Sequence, residues 1–306
     1  MEKKSVISFL ITMILIVLFS IWMIFPYQVN YFESPKETNF SVIGNSMVDS
    51  QFYSNLRFPS KEISYRIDSD CSLQKQNDME EAFSIMENAT ILNFYPVEKG
   101  EEISVYCSDE VKQEGNLFIA GEGGPTNITK LLDYNVIFNG KVLLIKDSSC
   151  PTPNVAIHEL IHVLGFDHSE NKNNIMYPIS RCNQDIGDDT IQLINDLYSV
   201  PSLPDLVLLN SVAKVHGRYL DLNVTVKNEG FIRSEAFKVN VYADDNNVRE
   251  IEVAPIEVGY GRNIMLTNIG INLLSVDKFK LMIESNFSEI NSDNNEIVLN
   301  LKNWFA

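Results

Sequence analysis

His158-Glu159-Leu160-Ile161-His162-Val163-Leu164-Gly165-Phe166-Asp167-His168 gathers three of the chain's four histidines into one short segment. The first and second histidines stand four positions apart, so on a helix both imidazoles project from the same face and can grip one metal ion. Glu159 is their neighbour, placed to reach a water at the metal without ligating it. Gly165 suits the end of that helix, because a residue without Cβ adopts the left-handed conformation that turns the chain back. His168 then arrives from the turn as a third ligand. Three histidine nitrogens with one open position is the pattern of catalytic zinc, whereas structural zinc is closed by four ligands rich in cysteine. The surrounding residues Ala156, Ile157, Leu160, Ile161, Val163 and Leu164 are apolar on nearly every side, so the helix is buried. Two histidines and a glutamate inside such a helix cost free energy unless a partner satisfies them.

Farther along stands Asn174-Ile175-Met176-Tyr177-Pro178. With the histidine segment, it resembles the metzincin clan of zinc metallopeptidases, and its Met-Tyr-Pro form is most similar to the matrixin branch, in its prokaryotic type. The resemblance spans roughly residues 62–200 and implies an α+β catalytic domain: a twisted sheet, an active-site helix and a C-terminal helix. It also implies one catalytic zinc on His158, His162 and His168, and Glu159 as the catalytic general base. Met176 would be a hydrophobic floor beneath the ligands, and Tyr177 and Pro178 part of the wall of the primed-side substrate pocket. The chain departs from the family in two respects. The segment ahead of the domain has no cysteine to block the zinc, and the domain has no spare histidine for a second, structural zinc. Calcium held by carboxylates and loop carbonyls is left open.

The 306 residues carry a formal net charge of −17, which argues against nucleic acid or anionic lipid as a partner. Residues 5–25 form an unbroken apolar run after Lys3 and Lys4, long enough to cross a bilayer as a helix. No small-x-small cleavage site closes it, so the expectation is a retained signal anchor rather than a cleaved signal peptide. Residues 1–4 would be cytoplasmic and everything beyond 26 extracellular, on a single-pass protein of the cell membrane. Cys71, Cys107, Cys150 and Cys182 suit that oxidising side. Four cysteines allow three pairings, and sequence does not choose among them. The proposed pairing is Cys150–Cys182, which brackets the metal segment, with Cys71–Cys107. Sequons at Asn39, Asn88, Asn127, Asn223 and Asn286 are compatible with surface glycosylation.

Residues 26–60 are polar and read as a stalk or short pro-like segment. The catalytic domain is expected over 61–200, with strands at 62–67 and 103–107 and a helix opened by Asp78 with Glu81 as a capping box. Gly121-Glu122-Gly123-Gly124-Pro125 lacks the Gly-Lys-Ser/Thr of a phosphate loop and is expected as a flexible loop. Asn139-Gly140 between two β-prone runs reads as a hairpin turn. A free edge of that hairpin would take an extended peptide substrate by β-augmentation. Asp188 and Asp189 are expected to cap a last helix, and residues 201–204 to form a proline-bounded linker.

From 205 to 303 the period changes to alternation: Leu220, Leu222, Val224 and Val226, then Phe237, Val239 and Val241, then Phe279, Leu281 and Ile283, then Ile297, Leu299 and Leu301. That is an all-β sandwich. Lys227-Asn228-Glu229-Gly230 and the stretch from Glu289 to Glu296 resemble the CARDB type of immunoglobulin-like module, which implies a surface partner. His216 lies there, far in sequence from the metal segment. The function that follows is a membrane-anchored extracellular zinc endopeptidase acting on a protein or peptide substrate, with Glu159 assisting attack by zinc-held water. The alternatives are an adhesion protein with a structural or inactive metal site, and a zinc hydrolase of a cell-envelope amide.

Overall fold

A computed structural model describes Met13, residues 30–32 and residues 50–300, apart from 111, 115–116, 146–149, 217, 272–275 and 277. The apolar run at 5–25 lies outside the described residues except for Met13. Among the described residues, no helix is long and apolar enough to cross a membrane.

The chain opens with β1 (Asn30–Phe32), then β2 (Leu56–Arg57), β3 (Glu62–Ile67), β4 (Asn93–Pro96) and β5 (Ile103–Cys107). A two-stranded ribbon, β6 (Lys112–Glu114) with β7 (Leu117–Ile119), precedes the long strands β8 (Gly121–Lys130) and β9 (Asn135–Leu144). The first sheet runs β2-β9-β5-β3-β4, and these pairs are parallel. β8 pairs antiparallel with β9 along its other side, so among the described residues it is an edge strand. Pro125 fits there, since proline offers no N–H to a ladder and is confined to edges or bulges.

Two sequence expectations fail at this point for one reason. Asn139 and Gly140 are not a turn but consecutive residues inside β9, and the glycine-rich stretch is not a loop but the first half of β8. A side chain at Gly140 would lie 2.4 Å from Val163, and one at Gly123 2.3 Å from the Glu159 carbonyl oxygen. These glycines are placed where two strands press against the helix that carries Glu159 and Val163, and sequence signals of flexibility are the same as signals of close approach.

α1 (Leu73–Ala89) is capped by Ser72, whose hydroxyl accepts from the Lys75 N–H, so it begins ahead of the expected Asp78 box, which sits inside it. Ser72 follows Cys71, which is tied to Cys107 at the end of β5, and that bond fixes where the helix starts. Met79, Ala82, Phe83 and Met86 face the sheet and are almost wholly buried with Ile63, Ile103 and Val105. Each large side chain so buried contributes about 1.5–3 kcal/mol. α2 (Asn154–Val163) and α3 (Asp188–Ser199) complete the layer. The residue that caps α3 is Gly187, without a side-chain bond; Asp188 and Asp189, expected to cap the helix, stand instead in its first turn, next to the positive dipole end. Leu56 and Arg57, which the sequence assigns to the stalk, form β2 inside this sheet.

The remaining strands are β10 (Leu206–His216), β11 (Tyr219–Asn228), β12 (Phe237–Ala243), β13 (Asn246–Val253), β14 (Gly261–Gly270), β15 (Lys278–Glu284) and β16 (Glu296–Asn300). They form two sheets, β1-β14-β11-β10 and β13-β12-β15-β16, with Val224, Val226, Val239, Val241, Phe279 and Leu281 fully buried between them. The alternation read from the sequence therefore marks one face of β11, β12 and β15. β1 adds to the edge of β14, with Asn30 opposite Asn263. Leu301 lies outside the described residues.

The two domains share a small core of their own. Phe231 and Val258 of the sandwich pack with Val136 of β9, and Leu131, Tyr134 and Val200 flank them. Arg57 is fully buried: its guanidinium lies 4.6 Å from the Tyr198 ring centre and 4.1 Å from that of Phe231. It donates to the carbonyls of Phe58, Pro59, Leu197 and Val200, which satisfies a charge that would otherwise be costly to bury.

Candidate metal centre

α2 carries both helical histidines on its inner side. His158 and His162 are 8% and 7% exposed, and their ring centres lie 4.6 Å apart. The helix ends at Leu164, and Gly165 takes φ +100 at the turn, as its position in the sequence predicts. The turn returns His168 to within 4.7 Å of the His162 ring centre and 5.3 Å of that of His158. One nitrogen from each of the three rings falls within a group spanning at most 4.8 Å. Among the described residues no other group of three His, Cys, Asp or Glu side chains is so arranged.

Hydrogen bonds fix which nitrogens are free. The His158 Nδ1–H donates to the Ile175 carbonyl at 2.6 Å, and the His162 Nδ1–H donates to the Phe166 carbonyl at 2.7 Å. A carbonyl can only accept, so in both rings Nε2 is left with its lone pair. The Nε2 atoms of His162 and His168 are 3.2 Å apart. Burial, more than the neighbouring histidines, pushes His162 down to about 3. It lowers His158 and His168 as well, so the rings are held in the neutral form that a metal requires. An all-imidazole, cysteine-free donor set of three fits zinc with a position to spare.

Glu159 is 6% exposed and packs against β8. Burial, and secondarily the Glu122 carboxylate, push its carboxyl up to about 8. A side chain at Gly121 would lie 2.8 Å from Glu159 Oε1, so the strand reaches the carboxylate only because that position has none. Met176 is 2% exposed, one residue after the carbonyl that receives His158. Its N–H donates to Asn174 Oδ1 and its carbonyl accepts from Ser169, which ties this turn to the residue following His168. Tyr177 is half-buried, and Pro178 is exposed. Cys150 and Cys182 are bonded across the whole segment, and Cys71 is bonded to Cys107.

Several residues about the site escape a reading of the sequence. Residues 50–52 run antiparallel to 165–167: Phe52 N–H donates to the Gly165 carbonyl, Asp167 N–H donates to the Ser50 carbonyl, and Gln51 bridges Phe166. The Phe52 ring stacks on His162, with ring centres 5.7 Å apart. Nothing in the polar, aperiodic stretch before residue 60 announces this strap. Gly121 and Gly123 are visible in the sequence, but only the fold shows what they approach.

Residues 57–199 match the family model described as Matrixin. Residues 203–298 match the one described as CARDB. No curated protein matches the chain. Among solved structures, the chain is similar to the CARDB domain of the PF1109 protein from Pyrococcus furiosus, described as in complex with di-metal ions. The identity is 18%, the likeness covers 32% of this chain and 85% of that one, and the TM-score is 0.28. Residues 57–199 are thus similar to the Matrixin family, and residues 203–298 to the CARDB family.

Proposed function

We propose that this protein is a zinc-dependent endopeptidase working outside the cell membrane, to which residues 5–25 tether it. The observation that carries the reading is the trio His158, His162 and His168, whose nitrogens converge, with Glu159 beside the first two on the same buried helix. Zinc held there supplies a Lewis acid for a peptide carbonyl and makes water acidic near neutral pH. Glu159 takes the proton from the attacking water and returns it to the departing amine. The outer edge of β8 offers backbone N–H and C=O groups to an extended substrate, which lies along it as one more strand. Ile175 and Phe166, through their carbonyls, hold His158 and His162 in the tautomer that keeps Nε2 available. Met176 is the apolar floor, and Tyr177 with Pro178 line the pocket beyond the scissile bond. The CARDB domain is open to a surface partner.

Glu159→Gln tests the role directly. The variant keeps the shape and the histidines, so it should retain zinc while peptide cleavage falls by about 10²–10⁴-fold. Undiminished cleavage by a zinc-loaded variant would refute the assignment. Incubating the protein with cell-envelope material in parallel with peptides separates a peptidase from an amide hydrolase of the envelope.

A further inference from the structure

The two halves of the molecule are joined at one place that matters to the site. β8 runs from Gly121, against Glu159, to Lys130, and the turn that leads it into β9 is residues 131–134. That turn is held by the sandwich. The Leu132 N–H donates to Glu229 Oε2 at 2.7 Å, and Glu229 is 5% exposed and fixed by Lys227 at 2.5 Å. Phe231 stands edge-on to Tyr134, with ring centres 4.8 Å apart and planes at 81°, while its face covers Arg57. Gly259 abuts Thr129 of β8 so closely that a side chain there would lie 2.4 Å from it. Phe231 itself is 1% exposed, and its N–H donates to the Leu203 carbonyl, so the short connection between the domains is pinned as well.

The geometry points to the CARDB domain as a clamp on the edge strand, with Glu229 and Phe231 acting as positioning residues for β8. An edge strand has a ladder on one side only, and three of the first four residues of β8 are glycines, which bring no side chains of their own to hold that stretch. Fixing its far end limits how far the whole strand can lift from β9. Arg57 relays the same grip to the catalytic layer: it fastens the end of α3 through Leu197 and Val200 while lying between Tyr198 and Phe231. The partner of this face of the sandwich is therefore the catalytic domain of its own chain. The consequence for turnover rests on the proposal that β8 is the substrate edge; the clamp itself does not.

Phe231→Ala in the full chain, followed by amide hydrogen exchange and by peptide kinetics, tests the two parts separately. Exchange in residues 121–130 should rise roughly tenfold or more while that in β3 and β5 stays unchanged. KM for a peptide should rise several-fold, with kcat and zinc content nearly constant. Phe231→Leu, which keeps the apolar bulk but loses the ring contacts with Arg57 and Tyr134, gives the same pattern in weaker form and serves if the alanine variant does not fold. Faster exchange confined to residues 229–231 and 258–259, with β8 as protected as before, would overturn the clamp. Loosened β8 in a protein that cleaves no peptide even as wild type would leave the clamp standing and remove the peptidase reading instead.

Discussion

Glu159 has two states whose balance differs between the folded and unfolded chain. Unfolded, its carboxyl titrates near 4.5; folded and without metal it is pushed up to about 8, first by burial and then by Glu122. Between those values the folded protein holds a proton that the unfolded chain has released, so this residue makes the metal-free fold less stable as pH rises. Glu159→Gln removes that decline. The metal-free variant should melt higher than wild type at about pH 8.5, and the gap should close toward pH 4.5. A gap that is constant across this range would show that Glu159 does not titrate as described. His162 has the opposite sign. Its folded value, about 3, lies below the ordinary 6.5, so the folded ring refuses protons that the unfolded chain accepts as pH falls below 6.5. Protons consequently compete poorly with zinc in the folded protein, and zinc measured after equilibration should stay bound through about pH 5.5. Half-loss of zinc at the ordinary histidine titration point would contradict the burial argument.

Among the elements, α2 was legible and β8 was not, for a physical reason. The metal helix is specified by local chemistry: two imidazoles at helical spacing, an apolar surround and a glycine that ends it, all within a few residues. Strands β3 and β5 were legible too, because each is short and mixes isoleucine or valine with tyrosine, residues that favour strands. β8 is specified by what it approaches, and Gly121 and Gly123 look in isolation like a loop. The Asn139-Gly140 pair misled in the same way, being a close contact with Val163 rather than a turn. Gly123→Ala should accordingly cost about 1–3 kcal/mol in a denaturant titration, because the strand must move off the Glu159 carbonyl. An unchanged midpoint would mean that the approach is looser than described. The Cys150–Cys182 bond closes a span of 32 residues about the site. Replacing both cysteines by serine should lower stability by about 3–4 kcal/mol on the chain-entropy account. Zinc should be released at a lower chelator concentration in that variant.

At the scale of the molecule, the two domains pack against each other where Arg57, Phe231, Tyr134 and Val136 meet. The alternating pattern beyond residue 205 announced a sandwich, but no local signal could say that a buried arginine from a short strand would reach it. Calorimetry should show one cooperative transition for the wild-type chain, and Arg57→Ala should split it in two, since the alanine abandons four carbonyls and two ring faces at the junction. A single transition retained in that variant would place the coupling elsewhere. The central claim concerns what the joined molecule does. The purified full chain, in detergent or in vesicles, should contain one zinc per chain and cut an unstructured polypeptide; a chelator should stop the cutting and added zinc restore it. A fully zinc-loaded chain that leaves every polypeptide intact would contradict the claim.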